Sequence, residues 1–182
     1  PVQGRVPLRG VNFVGDDQAD RRNHGGRDKA VYSYAREDQE WWEEQLGRPI
    51  ERGGFGENLT LSSVDVTGAV IGERWEIGSA LLEVAQPRSP CWKLGARMGD
   101  PDFPPRFADA CRPGAYLRII KEGDVGAGDE VRVVYRPTGS ISVSEIARIY
   151  SADKGKAHLL LEVPGLAESW KSWARRVVKY RE

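Results

Sequence analysis

The sequence predicts a mainly β fold: a β-barrel with a few short helices over residues 1–136, followed by a small three-helix unit over residues 137–182. Three observations carry this expectation. From Leu8 to about Tyr135, short apolar runs alternate with glycine, proline and aspartate, the rhythm of a barrel or sandwich. Tyr34, Trp41, Trp42, Gln45 and Leu46 interrupt that rhythm with helical spacing. Beyond Arg136-Pro137-Thr138-Gly139-Ser140 the pattern becomes helical throughout, starting from a capping signature.

The interrupting helix is expected over residues 35–46, covering one barrel opening, because Gly47 stands where a left-handed C-cap would end it. Residues 80–85, 115–121 and 130–135 are the clearest strands, each rich in valine, isoleucine, leucine or tyrosine and bounded by turn residues. Residues 122–129 read as a glycine-rich connection between the last two. A helix starts at Val143, since Ser142 and Glu145 form a capping box while Ile141 and Ile146 take the hydrophobic-staple positions, and it ends near Tyr150. Asp153 is expected to cap a second short helix running through Leu161. Pro164 is expected to open a third, with Leu166, Trp170, Trp173 and Val177 on one face. So short a unit needs support, and its tryptophans are expected to pack on each other or on the barrel.

At 182 residues the chain can bury one substantial core without staples. Its 27 lysines and arginines balance 27 aspartates and glutamates, so no global field draws it onto DNA or an anionic membrane. An apolar share of 40% with 30% charged residues is that of a folded, soluble domain. No run approaches the roughly 18 apolar residues of a membrane span, and the first residues lack a signal peptide's apolar core, so the cytoplasm is the expected location. There the two cysteines, Cys91 and Cys111, are expected to stay reduced.

The stretch richest in chemistry is Gln86-Pro87-Arg88-Ser89-Pro90-Cys91-Trp92-Lys93, directly after the first clear strand. A thiolate between Arg88 and Lys93 is stabilised by positive charge, as a nucleophile or as a soft-metal ligand. A small buried cysteine at a strand end is the plainer alternative, and residue types leave both open. No Cys-x-x-Cys, His-Glu-x-x-His or carboxylate ladder builds a zinc site. His24 and His158 sit in no recognisable cysteine–histidine signature. Gly53-Gly54-Phe55-Gly56-Glu57-Asn58-Leu59 offers a backbone able to approach a ligand, with Asn58 a donor and acceptor, yet it lacks the third glycine of a dinucleotide fingerprint. His158, Trp170 and Trp173 read as packing or surface residues, Cys111 as part of a loop after Phe107, and Lys171, Arg175 and Arg176 as a solvated face.

Taken in order, His24-Gly25-Gly26, the Gly54–Leu59 turn, the Gln86–Leu94 stretch and Gly114-Ala115-Tyr116-Leu117-Arg118 resemble MOSC-domain proteins, and among them the YiiM-like subfamily with its C-terminal three-helix extension. The resemblance implies a MOSC-type β-barrel that binds the molybdenum cofactor (Mo-molybdopterin). In it Cys91 supplies the sulfur ligand to the metal, and Arg88, Lys93, Asn58 and His24 bind the cofactor. It further implies a detoxifying reductase of small N-hydroxylated compounds, such as 6-hydroxylaminopurine-type base analogues. Cys91, His24 and Glu57 carry the catalytic roles in that reading, with His24, Glu57 or Asp109 as the acid that protonates the departing oxygen. The chain has no iron–sulfur cysteine set and no flavin signature, so electrons are expected from a separate flavoprotein or ferredoxin-type donor. Two alternatives stay open: a non-catalytic carrier of the cofactor or of sulfur, and a nucleobase or nucleic-acid binder, the latter disfavoured by balanced charge.

Overall fold

The computed structural model describes residues 2–16 and 25–180. In chain order its elements are β1 (Arg5–Arg9), β2 (Asn12–Phe13), β3 (Val31–Ala35), α1 (Arg36–Leu46), β4 (Leu59–Leu61), β5 (Arg74–Ile77), β6 (Ala80–Pro87), α2 (Trp92–Met98), α3 (Phe103–Asp109), β7 (Ala115–Lys121), β8 (Gly123–Gly126), β9 (Val131–Tyr135), α4 (Val143–Ser151) and α5 (Glu168–Lys179), with 3-10 segments at Arg27–Lys29 and Lys154–Glu162. A six-stranded sheet ordered β4-β3-β7-β6-β5-β9 curls against a three-stranded sheet ordered β2-β1-β8. All its pairings are antiparallel except β3 with β4. The fold is therefore mainly β, as the alternating runs predict.

Inward-facing Val31, Trp75, Leu82, Val84 and Leu117 form the main core, and Val143, Ile146, Leu160 and Ala174 of the C-terminal segment belong to the same apolar cluster. The three-helix unit is thus seated on the barrel's own core. Trp170 and Trp173 meet edge to face at 6.0 Å, each against Tyr150 at 5.5 and 5.2 Å.

Helix α1 ends as expected: Gly47 lies at φ 63° and its N–H returns to the carbonyls of Glu43 and Glu44. Helix α4 starts as expected, the Ser142 hydroxyl accepting from the Glu145 N–H at 3.2 Å, although the Glu145 carboxylate turns to Arg148. Four expectations need correction. Helices α2 and α3 lie within the stretch read as strands. Each is seven residues long and buries a single i,i+4 pair, Leu94 with Met98 and Phe103 with Phe107, too short a pattern to stand out. The glycine-rich connection contains a strand, β8, which pairs with β1. Its alternation is invisible because Val125 alone carries an apolar side chain inward. Asp153 makes no side-chain cap; its carboxylate pairs with Lys156 at 2.8 Å, and the segment it opens is a 3-10 helix. Pro164 does not open the last helix but precedes Gly165 at φ 76°, and α5 begins at Glu168 once this turn is complete.

The end of α1 contains a pH-sensitive joint. The Glu43 carboxylate accepts from the Ile50 N–H at 3.1 Å and from two nitrogens of Arg36 at 3.2 Å. The Ile50 hydrogen bond, followed by the Arg36 guanidinium, holds it below the ordinary carboxylate value. A depressed folded value stabilises the fold above the unfolded value near 4.5 and is lost as pH falls through the folded one. Thermal melts between pH 3 and 7 are expected to show less acid sensitivity in Glu43→Gln than in wild type; parallel curves would count against this joint.

Among the described residues no helix is long and apolar enough to cross a membrane.

Candidate functional site at the end of strand β6

Strand β7 runs between β3 and β6, placing Tyr116 opposite Tyr32 on one side and Gln86 on the other. The two tyrosine rings pack at 4.8 Å with 34° between their planes. Between Val84 and Gln86 the β6–β7 register slips by a bulge, a device that re-aims the residues after it. The Ala85 carbonyl at the bulge accepts the Ala167 N–H at 3.2 Å, so the C-terminal unit docks where the strand is re-aimed. Gln86 is then fully buried, its amide donating to the Asp28 carbonyl at 2.9 Å and accepting from the Ser169 hydroxyl at 3.2 Å.

Past the strand end, Arg88-Ser89-Pro90 leads to Cys91, which stands in an extended conformation at the N-cap of α2. Lys29, Gln86, Arg88, Ser89, Cys91 and Tyr116 surround one recess there. Arg88 is its pivot. The guanidinium carbon lies 5.1 Å over the Tyr32 ring, and Nη1 donates to the Phe55 carbonyl, which ties the glycine turn to the recess. Burial works against the Arg88 charge, but the Tyr32 and Tyr116 phenols and Cys91 more than offset it, so the guanidinium holds its proton above its ordinary value. Burial pushes the Tyr116 phenol up, and Arg88 opposes that rise. Both remain proton donors at neutral pH. Beneath the glycine turn lies a second apolar cluster, with Phe55 stacked on Tyr34 at 4.2 Å and Trp42 against Phe103 at 4.8 Å, a rigid floor built by α1, α2 and α3.

Arg118, two residues along β7 from Tyr116, braces the same region. It donates to Asp28 at 2.5 Å, Glu83 at 3.0 Å and the Gly165 carbonyl at 2.6 Å. The 3-10 segment that carries Lys29, strand β6 and the C-terminal unit therefore share one guanidinium.

The residues singled out from sequence separate clearly. Cys91 and Arg88 meet at the recess. Lys93 lies exposed on α2 and is not among the residues lining it. Asn58 is committed to the backbone of β3: its Oδ1 accepts from the Tyr32 N–H at 2.8 Å, its own N–H donates to the Tyr32 carbonyl at 2.8 Å, and Nδ2 donates to Asp16 at 3.2 Å. Glu57 staples the glycine turn, accepting from the Gly53 N–H at 2.7 Å, the Phe55 N–H at 3.0 Å and the Thr60 hydroxyl at 3.1 Å. Asp109 is exposed at the end of α3. His24 lies outside the described residues. His158 is exposed with Nδ1 3.0 Å from the Gly155 carbonyl, and Cys111 occupies the turn after α3 at φ 52°. Lys29 and Tyr116 are among the recess residues that sequence reasoning left unassigned. Tyr116 stood within a quoted motif, and its signal was the strand alternation that pairs it with Tyr32.

A MOSC domain family model matches residues 20–132. The chain belongs to the MOSC-domain family, whose domains are associated with molybdenum cofactor binding. Within that family it is similar to YiiM of Escherichia coli (strain K12), 32% identical over 93% of this chain and 78% of that protein. The crystal structure of YiiM from Geobacillus stearothermophilus superposes with a TM-score of 0.83 at 30% identity, over 97% of this chain and 86% of that one, so the likeness includes the C-terminal unit. A Gibberella moniliformis protein named "Reductase" is 31% identical over 87% of this chain, which spans 29% of its length.

Proposed function

We propose that the protein is a molybdenum cofactor-dependent reductase of N-hydroxylated compounds, 6-hydroxylaminopurine-type base analogues among them. The observation that carries this reading is the meeting of a thiol, a guanidinium and an ammonium, from Cys91, Arg88 and Lys29, around one recess. Such a donor set fits a molybdenum pterin: the thiolate is a soft ligand for the metal, and the two cations suit the anionic tail. When bound, the cofactor supplies a two-electron redox centre. The name of the Gibberella relative points the same way.

Cys91 would hold the metal, and Arg88 would hold the anionic portion while keeping the glycine turn in place. The overall reaction consumes two electrons and two protons, breaks the N–O bond and yields an amine and water. A separate flavoprotein or ferredoxin-type protein would supply the electrons. Of the acids considered, Glu57 already accepts three hydrogen bonds in its turn and Asp109 faces solvent, which leaves His24 as the acid of choice.

The test is turnover. Protein produced in a cofactor-competent host, with molybdenum content measured, is expected to convert 6-hydroxylaminopurine to adenine with a reduced viologen as electron source. Full molybdenum occupancy without product would overturn the reductase reading and leave a carrier of the cofactor.

A further inference from the structure

We propose that Tyr116 recognises the N-hydroxyl group of the substrate, its phenolic O–H donating a hydrogen bond to the hydroxylamine oxygen in the recess beside Cys91. This rests on the reductase reading above and names the residue that distinguishes substrate from product.

Three tyrosines cluster here, and two have their hydroxyls engaged. Tyr32 donates to the Pro113 carbonyl at 2.8 Å and Tyr34 to the Arg112 carbonyl at 3.0 Å. Tyr116, packed on Tyr32 at 4.8 Å, has no hydrogen-bond partner for its hydroxyl among the described residues, and it lines the recess with Cys91. Its position is rigid. The backbone is paired on both sides, the ring is held on one face by Tyr32, and the Lys29 ammonium lies 6.0 Å from its centroid. The neighbouring polar groups are spent on the fold: Gln86 on Asp28 and Ser169, and Arg88 in part on Phe55. The Ser89 hydroxyl also borders the recess, but on an exposed loop rather than a central strand. A preorganised donor with nothing to donate to is what a site uses to select a substrate hydroxyl over an analogue that lacks it.

Tyr116→Phe removes the O–H and keeps the ring, so both the packing on Tyr32 and the fold are retained. Calorimetric binding of 6-hydroxylaminopurine and of adenine to cofactor-loaded protein measures the preference directly. Wild type is expected to favour the hydroxylamine by about tenfold, the worth of one neutral hydrogen bond. Tyr116→Phe is expected to lose that preference while its adenine affinity, molybdenum content and melting temperature stay unchanged. An undiminished preference in the variant, no preference in wild type, or loss of molybdenum from the variant would each overturn the assignment. A preference that depends on Tyr116 without any reduction would uphold it and sink the reductase reading. Turnover with the preference intact in Tyr116→Phe would do the reverse.

Discussion

Replacing Cys91 with serine is expected to strip molybdenum from the protein while leaving the fold intact. The two side chains differ by one atom, and the position is half-buried at a helix N-cap, where a hydroxyl is well accommodated. Stability should therefore change by no more than about 0.5 kcal/mol, the usual range for a substitution away from core packing. Metal affinity should respond very differently. A serine hydroxyl is a hard donor that stays protonated at neutral pH, whereas a thiolate is a soft, charged one. Loss of a group that merely orients a metal ligand costs roughly 10–100-fold in affinity, and loss of the ligand itself should exceed that. Elemental analysis of wild type and Cys91→Ser made side by side in the same host, with thermal melts of each, separates the two effects. Equal molybdenum in both would remove Cys91 from the metal site.

Much of the fold was legible in the sequence, and the parts that were not share a physical cause. Helix α1 announced itself through Trp41, Trp42 and the left-handed Gly47, and α4 through Ser142 and Ile146, because in each a terminus signal and a buried face agree. Helices α2 and α3 gave no such agreement. Pro104 falls in the first turn of α3, where proline is tolerated, but beside Pro101 and Pro105 it reads as a loop. Strand β8 exists because Gly123 lets the chain approach β6 closely: a Cβ there would come within 2.4 Å of the Ala80 nitrogen. The residue that signals a turn in sequence is here the condition for a strand contact.

The site divides along a similar line. Cys91 and Arg88 were legible as a thiol beside a cation, a local feature of three residues' separation. Lys29 and Tyr116 reach the same recess from elsewhere in the chain, brought there by the pairing of β3, β7 and β6. No local pattern encodes that meeting. Asn58 and Glu57 show the converse: polar residues beside a glycine turn look available in sequence, yet backbone donors consume them, the turn's own for Glu57 and the Tyr32 N–H of β3 for Asn58. Their contribution to the site is indirect, since they fix the loop whose Phe55 carbonyl anchors Arg88.

That dependence of the site on strand pairing makes Gly114→Ala a damaging substitution for the recess. Gly114 precedes β7 at φ 64°, where an L-residue costs roughly 1–2 kcal/mol. An added Cβ would lie 2.6 Å from the Ser33 carbonyl oxygen and 2.7 Å from the Tyr34 ring, so strand β3 itself would have to move. Ser33 is the partner of Ala115, the residue next to Tyr116, so a shift there loosens the Tyr32–Tyr116 pair and with it the Arg88 perch. The combined cost is expected at about 3–5 kcal/mol, in the range that marks backbone strain plus core disruption. For a chain of this length that lowers the melting temperature by roughly 10 °C. Gly139→Ala supplies the control: at φ 71° it carries the same conformational penalty, but nothing lies within 4 Å of its Cβ. Its melting temperature should fall by roughly 2–8 °C, so the difference between the two variants isolates the steric term. Equal losses in both would mean that β3 yields at little cost, and that the tyrosine pair is not braced as the register implies.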